Sequence, residues 1–364
     1  MEKRRSDSEI KKKMNPVINY KPDLCYYRPT ASKTWTGRID GDREEHLRWH
    51  QKITCLDLSS RPLNTSAAAQ ASVVGERIEA SARPIVLLGF ACDEGVRRNQ
   101  GRVGAARGPE ALRKALYNLP VHESELVLWD AGDITCTDGR LELAQRELAQ
   151  CLSALLSAGA LPIVLGGGHE VTFGHYSGIR HFLDGATPKS DPAPRAKLGI
   201  INFDAHFDNR QPGIAGPSSG TGFWQIEPLE SPNFRYLALG IQRTGNTKAL
   251  FDRADLSGTE YIMADDFHHA FTKTRVQQFC QTVDHVYVTI DLDVFSAAHA
   301  PGVSAPSAWG ISPDAHFLNV LQVILKSGKL CSMDLAELNP PLDQDQRTAK
   351  LAAHLIDYVI AHVS

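Results

Sequence analysis

In this 364-residue chain, three short apolar runs each stop at acids or histidine, and that pattern constrains the fold more than any other feature. Leu198, Gly199, Ile200, Ile201 and Phe203 read as a strand apolar on both faces, as in a parallel sheet covered by helices on each side, and they pass directly into Asp204, His206 and Asp208. In an extended chain residues i, i+2 and i+4 point the same way, so two carboxylates and an imidazole would share one side. Leu161 to Leu165 runs into Gly166, Gly167, Gly168, His169 and Glu170, a glycine turn that lets backbone approach closely and presents His169 at the strand end. Val286 to Ile290 runs into Asp291, Leu292 and Asp293, an i, i+2 pair of carboxylates. Ligands of open parallel sheets bind beyond the carboxyl ends of the strands, so three such ends can meet at one site.

The remaining strand and helix signals alternate from about residue 85 onward, which predicts an α/β protein with one large domain rather than two. Ile85 to Phe90 is the first buried strand. Asp93 to Pro109 is a glycine- and arginine-rich loop leading to a helix over Glu110 to Tyr117, with Pro109 suited to the first turn. That loop lacks the spacing of a phosphate-binding glycine motif and reads as a substrate-facing loop with cationic side chains. Strands follow at Leu126 to Trp129, Tyr236 to Gly240 and Cys331 to Leu335. Helices follow at Leu141 to Ser157, near 172 to 183, at Leu318 to Lys326 and at Arg347 to His362. Residues 1–80 read as a tail and an arm packed on the core, anchored by Trp35 and Trp49. Within them Met1 to Met14 is a disordered tail rather than a secretory signal, and 59 to 75 a loop or connector. Residues 81–364 are expected to form a single domain.

Composition narrows the function classes. A net charge of −3 with no basic stripe interleaved with aromatics argues against nucleic acid, and apolar runs of strand length only argue against a membrane span. Seven scattered cysteines without C-x-x-C spacing suit reduced thiols in a cytoplasmic enzyme better than a disulfide framework.

Charge and donor chemistry then point to metals. His169, Asp204, His206, Asp208, Asp291 and Asp293 supply four carboxylates and two imidazoles, and burying four carboxylates without counter-charge would be prohibitive. Two divalent cations cancel those four charges. Oxygen-rich ligation with no thiolate favours manganese over structural zinc. Two such ions roughly 3.5 to 4 Å apart lower the pKa of a shared water and provide a nucleophile at neutral pH, which is the chemistry of hydrolysis.

The stretches GGGHE at 166–170, DAHFD at 204–208 and DLDVF at 291–295 resemble the ureohydrolase family, which includes the arginases, agmatinases and formimidoylglutamases. GRVGAARGPEALR at 101–113, DAGDI at 130–134 and MDLAELNP at 333–340 extend the resemblance over roughly residues 85 to 360. It implies an arginase-like three-layer α/β/α fold with a mostly parallel central sheet, two Mn2+ per subunit, and assembly into homo-oligomers. One metal would be held by His169 and Asp208 and the other by His206 and Asp293, with Asp204 and Asp291 bridging. Glu337 matches the carboxylate that receives the substrate's amidine or guanidine group.

WTGRID at 35–40, RWHQ at 48–51, GPSSGTGF at 216–223 and the segment 338–356 look like the formimidoylglutamase branch. Ser219-Gly220 stands where arginases and agmatinases usually have His-Gly, and Gly222 where the pattern has proline. The branch implies cleavage of N-formimidoyl-L-glutamate to L-glutamate and formamide, a step of histidine degradation, by attack of a metal-bridging hydroxide on the formimidoyl carbon. Such a substrate carries a cation and two carboxylates, so its pocket needs an acid at one end and bases at the other. Glu337 is the acid. Arg210, then Arg243, then Arg97 or Arg98 are the candidate bases, with Asn209 and Ser219 as polar contacts. Asp208 is the candidate proton shuttle, and His175 and His299 are alternative acids. The competing reading is an arginase-like guanidine hydrolase releasing urea; a catalytically silent subunit would be expected to have eroded ligands, and all six ligand types are in place.

Overall fold

The structure is a computed structural model that describes residues 24–59, 83–123, 125–186 and 194–363. The tail at Met1 to Met14, and all of the 59–75 connector beyond Ser59, lie outside the described residues. Its centre is a ten-stranded sheet in the order β1-β4-β3-β5-β10-β9-β6-β7-β8, with β2 also pairing β4. The strands are β1 (Tyr27–Arg28), β2 (Thr54–Cys55), β3 (Ile85–Ala91), β4 (Leu128–Thr135), β5 (Leu161–Leu165), β6 (Leu198–Phe203), β7 (Arg235–Ile241), β8 (Glu260–Met263), β9 (His285–Asp291) and β10 (Leu330–Ala336). All pairings are parallel except β1 with β4.

Alternation along these strands builds two apolar layers. Leu87, Ile163, Ile201 and Val288 face helices Gly108–Leu116, Phe271–Gln281, Ala315–Lys326 and Arg347–Val363 through Leu112, Phe279, Phe317 and Ile356. On the opposite face Val86, Phe90 and Val164 pack under Leu148 and Leu152 of helix Leu141–Ser157. Ile200 and Tyr236 pack there with Ile179 of Val171–Ala186 and Phe223 of Gly222–Glu230. The result is the three-layer α/β/α arrangement.

Two local expectations need correction. The strand read at Leu126 to Trp129 runs instead from Leu128 to Thr135, through Asp130 and Asp133. The Asp130 carboxylate is fully buried there because the Arg113 guanidinium grips it at 2.9 Å from two nitrogens, so a charge that reads as a strand end is neutralised inside the sheet. Gly132 takes φ +81° within that strand, where a Cβ would lie 2.3 Å from the Arg28 carbonyl. The second correction concerns Asp93 to Pro109, which contains a short helix, Glu94–Arg98, and a 3-10 turn, Ala105–Arg107. Helices Gly222–Glu230, Lys248–Ser257 and Phe271–Gln281 and strand β8 carry no sequence assignment above.

The described part of the arm adds β1 and β2 beside β4. Trp35 Nε1 donates to Asp130 Oδ2 at 2.8 Å, and Trp49, almost fully buried, donates to Asp357 Oδ1 at 3.3 Å. The Glu147 carboxylate accepts the backbone N–H groups of Cys25, Tyr26 and Tyr27 at 2.6–3.0 Å. Glu147→Ala should therefore destabilise the protein by about 2–3 kcal/mol, since three half-buried donors lose their charged acceptor. Faster amide exchange confined to residues 25–28 and their β4 partners is the measurement that checks it.

Candidate metal centre

Strands β5, β10, β9 and β6 lie side by side, and their carboxyl ends bring His169, Glu337, Asp291 and Asp204 to one place. The turn after β5 is glycine for a steric reason: a Cβ on Gly167 would sit 1.8 Å from the Cys92 carbonyl oxygen. Here the backbone of one strand end lies directly against the next.

The DAHFD segment converges differently from the simple alternation of an extended strand. β6 ends at Phe203, and Asp204 accepts the His206 N–H on Oδ1 at 2.6 Å, closing a tight turn. Asp208 has φ +47° and Glu337 φ +68°, left-handed conformations that non-glycine residues rarely adopt and that recur at functional positions. Asn246, unmarked by the sequence reading, straps this loop: its Oδ1 accepts the Phe207 N–H at 3.0 Å and its Nδ2 donates to the Ala205 and Gln242 carbonyls at 2.9 and 2.7 Å.

All six expected ligands come together, in two groups that share Asp204: His169, Asp204, Asp208 and Asp291, and Asp204, His206 and Asp293. His169 Nδ1 is 2.7 Å from Asp208, 3.2 Å from Asp204 and 3.3 Å from Asp291. His206 Nδ1 is 3.1 Å from Asp293 and 3.5 Å from Asp204. Asp291 joins the first group only, its Oδ1 accepting the Asp293 N–H at 2.9 Å.

Behind His169 a buried chain fixes the ring. Thr289 donates its hydroxyl hydrogen to Asp334 Oδ1 at 2.6 Å, so the contact of 2.9 Å between His169 Nε2 and Thr289 Oγ1 requires Nε2 to be the donor. Nδ1 is left to take a metal or, without one, a second proton. Asp334 also accepts from the Tyr287 hydroxyl at 2.5 Å and lies 2.6 Å from His175 Nδ1. His175, on helix Val171–Ala186, is thereby held against the sheet and turned toward Ser332, 2.7 Å from its Nε2, while His299 is exposed on a loop.

The charges behave as a set that needs cations. Burial disfavours the His169 imidazolium, yet Asp204, Asp208 and Asp291 outweigh it and hold its pKa well above the usual value; burial is likewise outweighed at His206 by Asp293 and Asp204. Burial and then the neighbouring aspartates push Asp291 well up, and burial followed by Asp204 pushes Asp208 up. In the metal-free protein, protons on the imidazoles supply counter-charge. An imidazole that binds its proton more tightly when folded contributes stability below the unfolded value of about 6.5 and loses it as pH rises through the folded value. The melting temperature of chelator-treated protein should therefore fall as pH rises above about 6.5. Manganese addition should release protons and bind more tightly at higher pH. Melting curves from pH 6 to 9 with and without metal test this, and a metal-free protein that gained stability over that range would contradict it.

Glu337 is buried, accepts the His169 N–H on Oε1 at 2.8 Å, and has a second oxygen without a donor. Burial, then the Glu170 charge, push its carboxyl up to about 8. Glu170, itself lifted by burial to about 7, accepts the Gly95 N–H at 2.7 Å and ties the 94–98 helix to the histidine turn. Among the candidate arginines, Arg97 is exposed and doubly bonded to Glu94 at 2.6 and 2.7 Å. Arg98 bonds Glu94, Glu142 and two carbonyls. Among the described residues Arg210 and Arg243 have no acidic partner, Arg210 half-buried and Arg243 exposed. Asn209 directs its amide to the Leu250 carbonyl at 3.0 Å, and Ser219 accepts from Asn99 Nδ2 at 3.1 Å. No helix of the described residues is long and apolar enough to cross a membrane.

The profile of the arginase family matches residues 83–361. A formimidoylglutamase of Geobacillus thermodenitrificans is 43% identical over 343 residues, covering 92% of this chain and 97% of that protein. One of Chromobacterium violaceum is 44% identical over 331 residues, covering 89% and 96%. The crystal structure of Trypanosoma cruzi formiminoglutamase with manganese superposes with a TM-score of 0.67 at 27% identity, covering 78% of this chain and 95% of that one.

Proposed function

The chain belongs to the arginase family and is a hydrolase, and from that premise we propose that it cleaves N-formimidoyl-L-glutamate to L-glutamate and formamide. The observation that carries the reading is that two groups of opposite charge near the ligand motifs are left without a partner: Glu337, a buried carboxyl with an unsatisfied oxygen, and Arg210, a half-buried guanidinium without an acidic partner among the described residues, two residues beyond Asp208. A cationic amidine joined to carboxylates complements both. The similarity to formimidoylglutamases narrows the substrate within that class.

The donor set fits two manganese ions: six buried or nearly buried oxygen and imidazole donors in two groups around one shared carboxylate, with His169 presenting Nδ1. His169, Asp204, Asp208 and Asp291 would hold one ion and Asp204, His206 and Asp293 the other. When bound, the pair would supply positive charge and lower the pKa of a water between them. The chain's own residues do the rest. Glu337 receives the amidinium nitrogens on its unsatisfied oxygen and orients the formimidoyl carbon. The incoming cation also provides the charge that returns a carboxyl pushed up to about 8 to its ionised form. Asp208 accepts the proton of the attacking water on its carboxylate and returns it to the departing glutamate nitrogen. Arg210 and Arg243 bind the carboxylates, with Ser219 as a polar contact.

The test is product analysis of the manganese-loaded enzyme offered N-formimidoyl-L-glutamate, L-arginine and agmatine separately. Formamide and glutamate from the first substrate alone are expected. Urea from either guanidine substrate would establish the alternative, an arginase-like guanidine hydrolase.

A further inference from the structure

The loop at 216–223 is fastened to the rest of the site at successive residues. Arg98 Nη1 donates to the Pro217 carbonyl at 3.1 Å and Asn99 Nδ2 to Ser219 Oγ at 3.1 Å. The Arg210 N–H donates to the Gly220 carbonyl and the Phe223 N–H to the Asp208 carbonyl, each at 3.0 Å. Ser218 and Thr221 close a turn on themselves. Arg210 is therefore tied through its backbone to Gly220, while its guanidinium remains without an acidic partner among the described residues.

Gly220 marks the space between the two side chains. A Cβ placed on it would lie 3.3 Å from Asn99 Nδ2, 3.4 Å from Asn99 Oδ1 and 3.4 Å from Arg210 Nη1, so the Asn99 amide and the Arg210 guanidinium flank one point, their two donor nitrogens at most about 7 Å apart. Nδ2 of Asn99 has a second hydrogen beyond the one given to Ser219. A carboxylate with two acceptor oxygens spans such a pair of donors, and glycine at 220 keeps the space open.

We propose that Asn99, with Gly220 as floor, is a specificity-determining residue: its amide and the Arg210 guanidinium together bind one carboxylate of a dicarboxylate substrate. The inference rests on the function proposed above and adds a residue from the β3 loop that no strand-end motif contains. It also gives the short helix Glu94–Arg98 a purpose in the site. Glu170 fixes its start through the Gly95 N–H, and Asn99 follows directly at its end.

The experiment uses the full-length, manganese-loaded enzyme with Asn99→Asp and Asn99→Ala variants. Steady-state kinetics on N-formimidoyl-L-glutamate, calorimetric binding of glutarate and of butyrate, and manganese content are the readouts. Asn99→Asp places a carboxylate beside Arg210 that competes with the substrate. It should raise KM and the glutarate Kd at least ~10-fold with kcat within about threefold and manganese unchanged, and Asn99→Ala should do so by about 3- to 10-fold. Unchanged KM and glutarate affinity in Asn99→Asp would overturn the proposal, as would losses confined to kcat or manganese content, or butyrate binding the parent as tightly as glutarate. A parent that binds glutarate in an Asn99-dependent way but never turns over formimidoylglutamate would support the notch and sink the function. A parent that turns it over with Asn99→Asp unaffected would do the reverse.

Discussion

Asp204→Ala should leave the enzyme with less than one manganese ion per chain and lower kcat/KM by at least ~10⁴-fold, the scale expected when the source of the nucleophile is lost. The reason is placement. Asp204 is fully buried and is the one carboxylate common to both ligand groups, so its removal weakens both ions at once. Its two oxygens also accept the His206 N–H at 2.6 Å and the Asn202 amide at 3.0 Å, so alanine strips the His206 N–H of its acceptor and leaves the Asn202 amide with the Tyr236 hydroxyl alone. Some loss of melting temperature will accompany the loss of metal. Asp204→Asn separates the effects, because its carbonyl can still accept the His206 N–H while the negative charge is gone. That variant should fold with near-parental melting temperature and still bind manganese poorly. An asparagine variant with full metal content and activity would remove Asp204 from the centre.

How much of this was readable beforehand depends on whether the determinant is local. The apolar runs at 161–165, 198–203 and 286–290 predict β5, β6 and β9 closely, because a strand covered on both faces has a signature independent of its neighbours. The two ends of Leu141–Ser157 follow from its 3.6-residue periodicity alone. The order of strands has no such signature. β9 and β10 insert between β5 and β6, and this distant pairing places Glu337 beside His169. β4 shows the opposite failure: Asp130 and Asp133 read as a strand end until Arg113, from a helix earlier in the chain, is seen to neutralise them inside the sheet. Asp208 could be nominated from its spacing, but its left-handed backbone could not. Thr289, Asp334 and Asn246 lack a sequence signal beyond proximity to the motifs, since their role is to hold other residues rather than to display chemistry. The arginines divide on the same ground: which are engaged by acids is a matter of three-dimensional neighbours, and only Arg210 and Arg243 of the candidates emerge unpaired among the described residues.

Glu337→Gln should lower kcat/KM for N-formimidoyl-L-glutamate by roughly 10²- to 10⁴-fold while leaving manganese content unchanged, the range expected when a buried charged contact to the reacting group is lost. Glutamine keeps the shape and its amide oxygen can still accept the His169 N–H, so the histidine turn is retained. What disappears is the anion that faces the amidinium. In the free enzyme this anion is uncomfortable: burial, with Glu170 next, pushes the carboxyl up to about 8, and its outer oxygen has no donor. A neutral amide removes that cost, so the variant should melt no lower than the parent even as it fails in catalysis. This opposition between stability and activity separates a substrate-binding carboxylate from a structural one. A residue that only supported the fold would lose melting temperature and activity together. A Glu337→Gln enzyme with parental kcat/KM would show that the amidine is received elsewhere, and the buried Glu170 would then be the next carboxyl to replace.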